Sequence, residues 1–200
     1  MLNEVKSRPA GRKLKLQVQM SLDGFVSTGP NDEQHWVTWA WEEIRPQVLA
    51  LFDSCDTILI GRKLAVDYIP YWEGVNTKPD DPMYEVAQRI VRAKKIVFSK
   101  TIDKSTWDNT EVSNEDLTEK INELKNHNGK DLIVYGGTSF VAELVRADLI
   151  DEYNIFLNPV AIGKGESIFS SLGGFKNLKL KESITYPSGI ILLNYENNNK

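Results

Sequence analysis

Three short runs of this chain are built around apolar, mostly β-branched residues: Thr57-Ile58-Leu59-Ile60-Gly61, Lys95-Ile96-Val97-Phe98-Ser99 and Asp131-Leu132-Ile133-Val134-Tyr135-Gly136. A strand that is apolar on both faces has to be covered on both faces, which is the situation of a parallel sheet between helices. The stretches between the runs supply helices. Ile44, Val48, Leu51 and Phe52 share a face, as do Val86, Ile90 and Val91 behind Pro82, then Leu117, Ile121 and Leu124, then Phe140, Val141, Leu144 and Val145. Ser113 and Asp116 resemble a capping box for the third of these. Strand–helix–strand alternation predicts a three-layer α/β/α fold with a mostly parallel central sheet.

The ends of the chain complete that sheet. Leu14 to Met20 alternates apolar and polar residues and reads as a half-buried strand, closed by a turn at Ser21-Leu22-Asp23-Gly24. Glu152 to Leu157 adds another strand. Leu178–Ile184 and Ile190–Tyr195, joined through Ser188-Gly189, predict an antiparallel C-terminal hairpin.

Composition excludes several classes of function. A net charge of −4 gives no overall attraction to nucleic acid or to anionic membrane. Cys55 is the one cysteine, so no internal disulfide forms and a reducing, cytoplasmic compartment is expected. Its apolar neighbours mark it as an inert core thiol. With His35 and His127 far apart, no metal site is expected. The polar, basic N-terminus lacks the apolar stretch of a secretory signal, and no run is long enough to span a membrane. The expected organisation is an N-terminal arm over 1–12, one domain over 13–196 and a loose tail over 197–200.

In an open α/β sheet, ligands bind beyond the carboxyl ends of the strands. Those ends read Gly61-Arg62-Lys63, Ser99-Lys100-Thr101 and Gly136-Gly137-Thr138-Ser139. The last opens a helix, where glycines let a backbone approach a phosphate and free N–H groups face it. A plain strand-to-helix turn would carry the same residues. Arg62, Lys63 and Lys100, with the Ser99 and Thr101 hydroxyls, can form an anion pocket or be ordinary surface charge. Trp36, Trp39 and Trp41 crowd around His35, with Trp36 and Trp39 at helical spacing. They suit packing, a subunit contact or the wall of a pocket for a flat heterocycle, with Tyr68, Pro70, Tyr71 and Trp72 over the same region.

Taken in order, the Ser21–Phe25, Thr57–Lys63, Val97–Thr101, Ile133–Thr138 and Asn158–Gly165 segments resemble dihydrofolate reductase. They are more similar still to the reductase domain at the C-terminus of the bifunctional riboflavin-biosynthesis deaminase–reductase, from about Lys13 onward. The resemblance implies NADPH and hydride transfer to a pterin, pyrimidine or similar small heterocycle, in a homodimer. It assigns Gly61, Arg62 and Lys63 to the cofactor phosphates and Ser99, Lys100 and Thr101 to the 2′-phosphate. Gly136 and Gly137 fall beside the pyrophosphate, joined by a cis peptide, with Thr138 and Ser139 at the helix start. The nicotinamide falls near Met20, Asp23 and the loop carrying Gly163, and Met20, Trp36, Trp39 and Tyr71 outline the substrate pocket. Asp23 and His35 are the catalytic candidates. Two positions depart from the family: Leu64 replaces a usual Thr, and His35 stands just before the first Trp where close relatives often have an acidic residue; the essential first-helix carboxylate of dihydrofolate reductase has no match, with Glu33, Glu42 and Glu43 all nearby. A nucleotide-binding module that has kept the fold without turnover is the alternative.

Overall fold

The computed structural model describes residues 11–30, 32 and 34–198. Along the chain run β1 (Leu14–Ser21), α1 (Trp41–Asp53), β2 (Cys55–Gly61), α2 (Arg62–Val75), α3 (Tyr84–Arg92), β3 (Lys94–Phe98), β4 (Thr110–Ser113), α4 (Leu117–Asn126), β5 (Asp131–Gly136), α5 (Thr138–Arg146), β6 (Glu152–Asn158), β7 (Leu178–Thr185) and β8 (Ile191–Asn197). They form one sheet in the order β4-β3-β2-β5-β1-β6-β8-β7. Every pairing from β4 to β6 is parallel, and the β6–β8 and β8–β7 pairings are antiparallel. This is the expected three-layer fold. Ile44, Val48 and Phe52 of α1 and Val86 and Ile90 of α3 cover one face, against Ile58, Ile60 and Ile133. Ile121 of α4 and Val141 and Leu144 of α5 cover the other, against Leu14, Leu59 and Val134.

Several local expectations change. β1 is central rather than half-buried: it lies between β5 and β6, and its polar Gln17 is only 5% exposed. The tryptophan segment does not join a helix, because α1 starts at Trp41. The Asp32 carboxylate instead takes the N–H groups of Thr28 and Gln34 and the Trp36 indole, at 2.8–3.1 Å. Such side-chain bonds compete with helical ones, and Gln34 and Trp39 both adopt positive φ. Asp116 itself caps α4, accepting from the N–H groups of Thr118 and Glu119, while Ser113 ends β4.

The expected arm and tail lie mostly outside the described residues, but their inner ends are held. Arg12 has an 8% exposed side chain, paired with the Asp56 carboxylate and the Thr57 hydroxyl. Asn197 belongs to β8 and donates to Asp148. Burial pushes the Cys55 thiol up to about 11, as suits a core cysteine.

Candidate active site

The site follows from a split in the sheet. β1 pairs with β5 only through Leu14, Leu16 and the residue between them, whereas it pairs with β6 from Lys15 to Ser21. β5 leans the other way, and its Gly136 pairs with Ile60 of β2. The connection from β1 leads to one side of the sheet and that from β5 to the other, so the split is a topological switch point, where α/β sheets bind ligands. A cavity of about 880 Å³ opens there. Gln17, Val18 and Gln19 of β1 face Tyr135 and Gly136 of β5 across it, with Lys63, Gly137, Thr138 and Ser139 at one end.

Two helix starts meet at that end. A Cβ on Gly61 would stand 2.9 Å from the Phe140 Cβ, so only a glycine lets the β2–α2 corner come this close to α5. Neither α2 nor α5 has a side-chain N-cap bond. Their first-turn N–H groups therefore remain available to an anion, and both dipoles favour one. Gly136 has φ +147° and a peptide to Gly137 that is cis. A Cβ there would lie 2.7 Å from Leu64 Cδ2, so Leu64 fills the space over the glycines.

A second cavity, of about 330 Å³, lies beside α5 and takes in Ser99, Lys100, Phe140 and Arg146. Its charge is mixed, since Glu115, Asp116 and Glu143 also line it and Arg146 pairs with Glu143 at 2.7 Å. Ser99 is occupied locally: its hydroxyl oxygen accepts the N–H groups of Thr101 and Ile102 at 3.0 Å. Thr101 and the half-buried Arg62 line neither cavity. Glu143 lines both, so the cavities adjoin along α5.

The far wall is the loop after β6. Asp23 holds it, accepting from the Gly163 N–H at 2.7 Å and the Ile162 N–H at 3.1 Å. The Ser21 hydroxyl at 2.6 Å adds most to this, and with those N–H groups it outweighs desolvation and keeps the Asp23 carboxyl below its ordinary value. Gly163 has φ +77°, which suits glycine. Asp23 thus organises the wall and does not line the cavity.

Of the other expected pocket residues, Trp39 lines the cavity and stays half exposed. Met20 is buried in the core beneath α5, and Trp36 turns to Asp32. His35 is exposed, and Tyr71 stands on the surface edge-on to Trp72. None of these four lines the cavity. Of the carboxylates weighed for proton delivery, Glu42 pairs with Arg45 and Glu43 accepts the Ser188 N–H, while Glu33 lies outside the described residues.

Sequence reasoning missed Gln17, Gln19, Asp32 and Tyr135. The signal for the two glutamines was the polar half of the β1 alternation. Burial pushes the Asp32 carboxyl up, but the N–H groups of Thr28 and Gln34 with the Trp36 indole hold it below its ordinary value. Burial takes the Tyr135 phenol up to about 12, against a hydrogen bond from Gln17. Asp32 is therefore ionised and Tyr135 neutral at pH 7, and neither is a ready proton donor.

Among known proteins, the RibD C-terminal domain matches residues 12–192. The uncharacterized protein YyaP of Bacillus subtilis (strain 168) is 32% identical over 199 residues, 98% of each chain. A deaminase/5-amino-6-(5-phosphoribosylamino)uracil reductase of Thermotoga maritima has a similar fold at 17% identity with a TM-score of 0.67. The match covers 94% of this chain and 57% of that one. Dihydrofolate reductase of Enterococcus faecalis, solved with NADP(H), shares the fold at 14% identity with a TM-score of 0.57, covering 93% and 96%.

Proposed function

The chain belongs to the RibD C-terminal domain family, and from that premise we propose that it is an NADPH-dependent reductase acting on a small heterocycle. The observation that carries this reading is the meeting of two helix starts without side-chain caps at the mouth of the split. The donor set fits a phosphate-bearing cofactor: two uncapped helix starts are held together by Gly61, where a Cβ would strike Phe140, and Gly137, Thr138 and Ser139 line the cavity there. NADPH supplies a hydride when bound. In this reading the N–H groups at Gly137, Thr138 and Ser139 and at the start of α2 hold the pyrophosphate, with Arg62 and Lys63 beside it. Lys100, Ser99, Thr101 and Arg146 receive the 2′-phosphate. Asp23 and Gly163 fix the loop that closes the nicotinamide end. Gln17, Gln19 and Trp39 orient the substrate and exclude water. In this reading the protein is a cytoplasmic homodimer with one reductase domain over 13–196, and sedimentation near twice 22.7 kDa is the expected result. A helix long and apolar enough to cross a membrane is absent from the described residues.

Isothermal titration of NADPH and NADH tests the cofactor. A hydrogen bond to a charged group contributes about 1.5–3 kcal/mol, or roughly ten- to a hundredfold. NADPH is therefore expected to bind at least about tenfold tighter, and Lys100→Ala to remove most of that preference. Equal affinities, or binding of neither, overturn the assignment. One observation favours a second reading, a nucleotide-binding module without turnover: Asp23 and His35 do not line the cavity, and Asp32 is held ionised. Tight NADPH binding without oxidation across a panel of heterocycles would select it.

A further inference from the structure

Resting on that reading, we infer that Gln17 and Gln19 form a paired amide reader that selects substrates carrying a ring N–H next to a ring C=O. The two residues are i and i+2 on β1, so both face the α1 side of the sheet about 6.6 Å apart, and both line the split cavity. Their neighbours set what each can offer.

Asn158 orients Gln19. It is fully buried, its Oδ1 accepts the Thr38 N–H at 2.9 Å, and its NH2 donates to the Phe156 carbonyl at 3.1 Å. These backbone bonds allow one orientation of the Asn158 amide. Its NH2 then also donates to Gln19 Oε1 at 2.9 Å. With that oxygen engaged, Gln19 has its NH2 left to offer, a donor for a carbonyl.

Gln17 is the complement. It is 5% exposed, its amide lies beside the Tyr135 phenol, and its Oε1 is shielded from solvent without a hydrogen-bond partner among the described residues. Its neighbour across the β1–β6 pair is Asn154, whose amide is spent on the Leu16 carbonyl at 3.2 Å and on Asn194 at 2.6 Å. A buried acceptor left unpaired is costly, and a ligand N–H removes that cost. The terminal amide torsion is soft, so Oε1 can turn to a donor in the cavity. An acceptor beside a donor on one strand face matches a cyclic amide, and it rejects a ring whose nitrogen is alkylated.

The test titrates the full-length chain, loaded with NADPH, with 5,6-diaminouracil and its 1,3-dimethyl analogue. Methylation removes the ring N–H groups and leaves both carbonyls. Wild type is expected to bind the parent ring at least about tenfold tighter. Gln17→Leu should weaken the parent alone and abolish the preference, while Gln19→Leu should weaken both rings alike. Equal binding of the two rings by wild type, binding of neither, or a preference that survives Gln17→Leu overturns the inference. NADPH affinity is measured separately, so failure to bind the cofactor counts against the reductase reading, and failure to discriminate the rings counts against this one.

Discussion

β1 and β2 both run parallel in the same sheet with only β5 between them, and both are covered on their two faces. In β2, Ile58, Leu59 and Ile60 are completely buried and serve both cores. In β1, Leu14, Leu16 and Met20 serve one core, while Lys15, Gln17, Gln19 and Ser21 turn polar groups to the α1 side. The difference comes from the split. β2 is paired along its length with β3 and β5, so apolar burial is its whole task. β1 loses β5 beyond Leu16, and its polar face lines the cavity there. A central strand with one polar face thus marks a site, and a uniformly apolar one marks a core.

Truncation should separate the two strands most sharply. Leu59→Ala removes a fully buried side chain and should cost about 2–5 kcal/mol in urea unfolding. At the β2 exit, Gly61→Ala drives a methyl against the Phe140 Cβ and should cost about 1–3 kcal/mol. It should also weaken NADPH, since it pushes apart the two helix starts. Unchanged cofactor affinity in a destabilised Gly61→Ala would detach that corner from the site. On β1 the effect should be far smaller: Gln17→Leu removes an unpaired acceptor but also the amide beside the buried Tyr135 phenol, so the two largely offset and stability should change by no more than about 1 kcal/mol. A loss there comparable to that of Leu59→Ala would show that β1 is ordinary core.

The same contrast explains what could be read from the sequence. The three apolar runs emerge as β2, β3 and β5 within a residue or two, because nothing competes with burial for their side chains. Gly136 to Ser139 and Lys63 were legible at the cavity because strand ends and glycines have a fixed place in this architecture. Gln17 and Gln19 were not, since an alternating strand has the same pattern whether its polar face meets solvent or a buried cleft. The register of Trp36 and Trp39 failed for a local reason, the three bonds collected by the Asp32 carboxylate. Arg146 was invisible because its place in the second cavity depends on α5 lying beside the end of β3, a long-range fact.

The smallest expected effect lies at the β1 exit and concerns pH. The exit of β2 carries Arg62 and Lys63 and no carboxylate, whereas two residues past the end of β1 stands Asp23, which ties down the loop after β6 through the N–H groups of Ile162 and Gly163. The Asp23 carboxyl is held below its ordinary value of 3.8, first by the Ser21 hydroxyl and then by those N–H groups. Because the folded value is depressed, the carboxylate's contribution is fully present above 3.8. It is lost as pH falls through the lower folded value, where protonation removes the charge that both N–H groups address. The side chain is exposed, so global stability should barely move and the effect should stay in the loop. The Gly163 amide resonance reports it directly. It should titrate with a midpoint below 3.8, and Asp23→Asn should flatten that titration while leaving the residues around Gly61 unaffected. A Gly163 midpoint at or above the ordinary carboxylate value would mean that Asp23 does not hold the loop. The exit of β1 would then be no more sensitive to acid than that of β2.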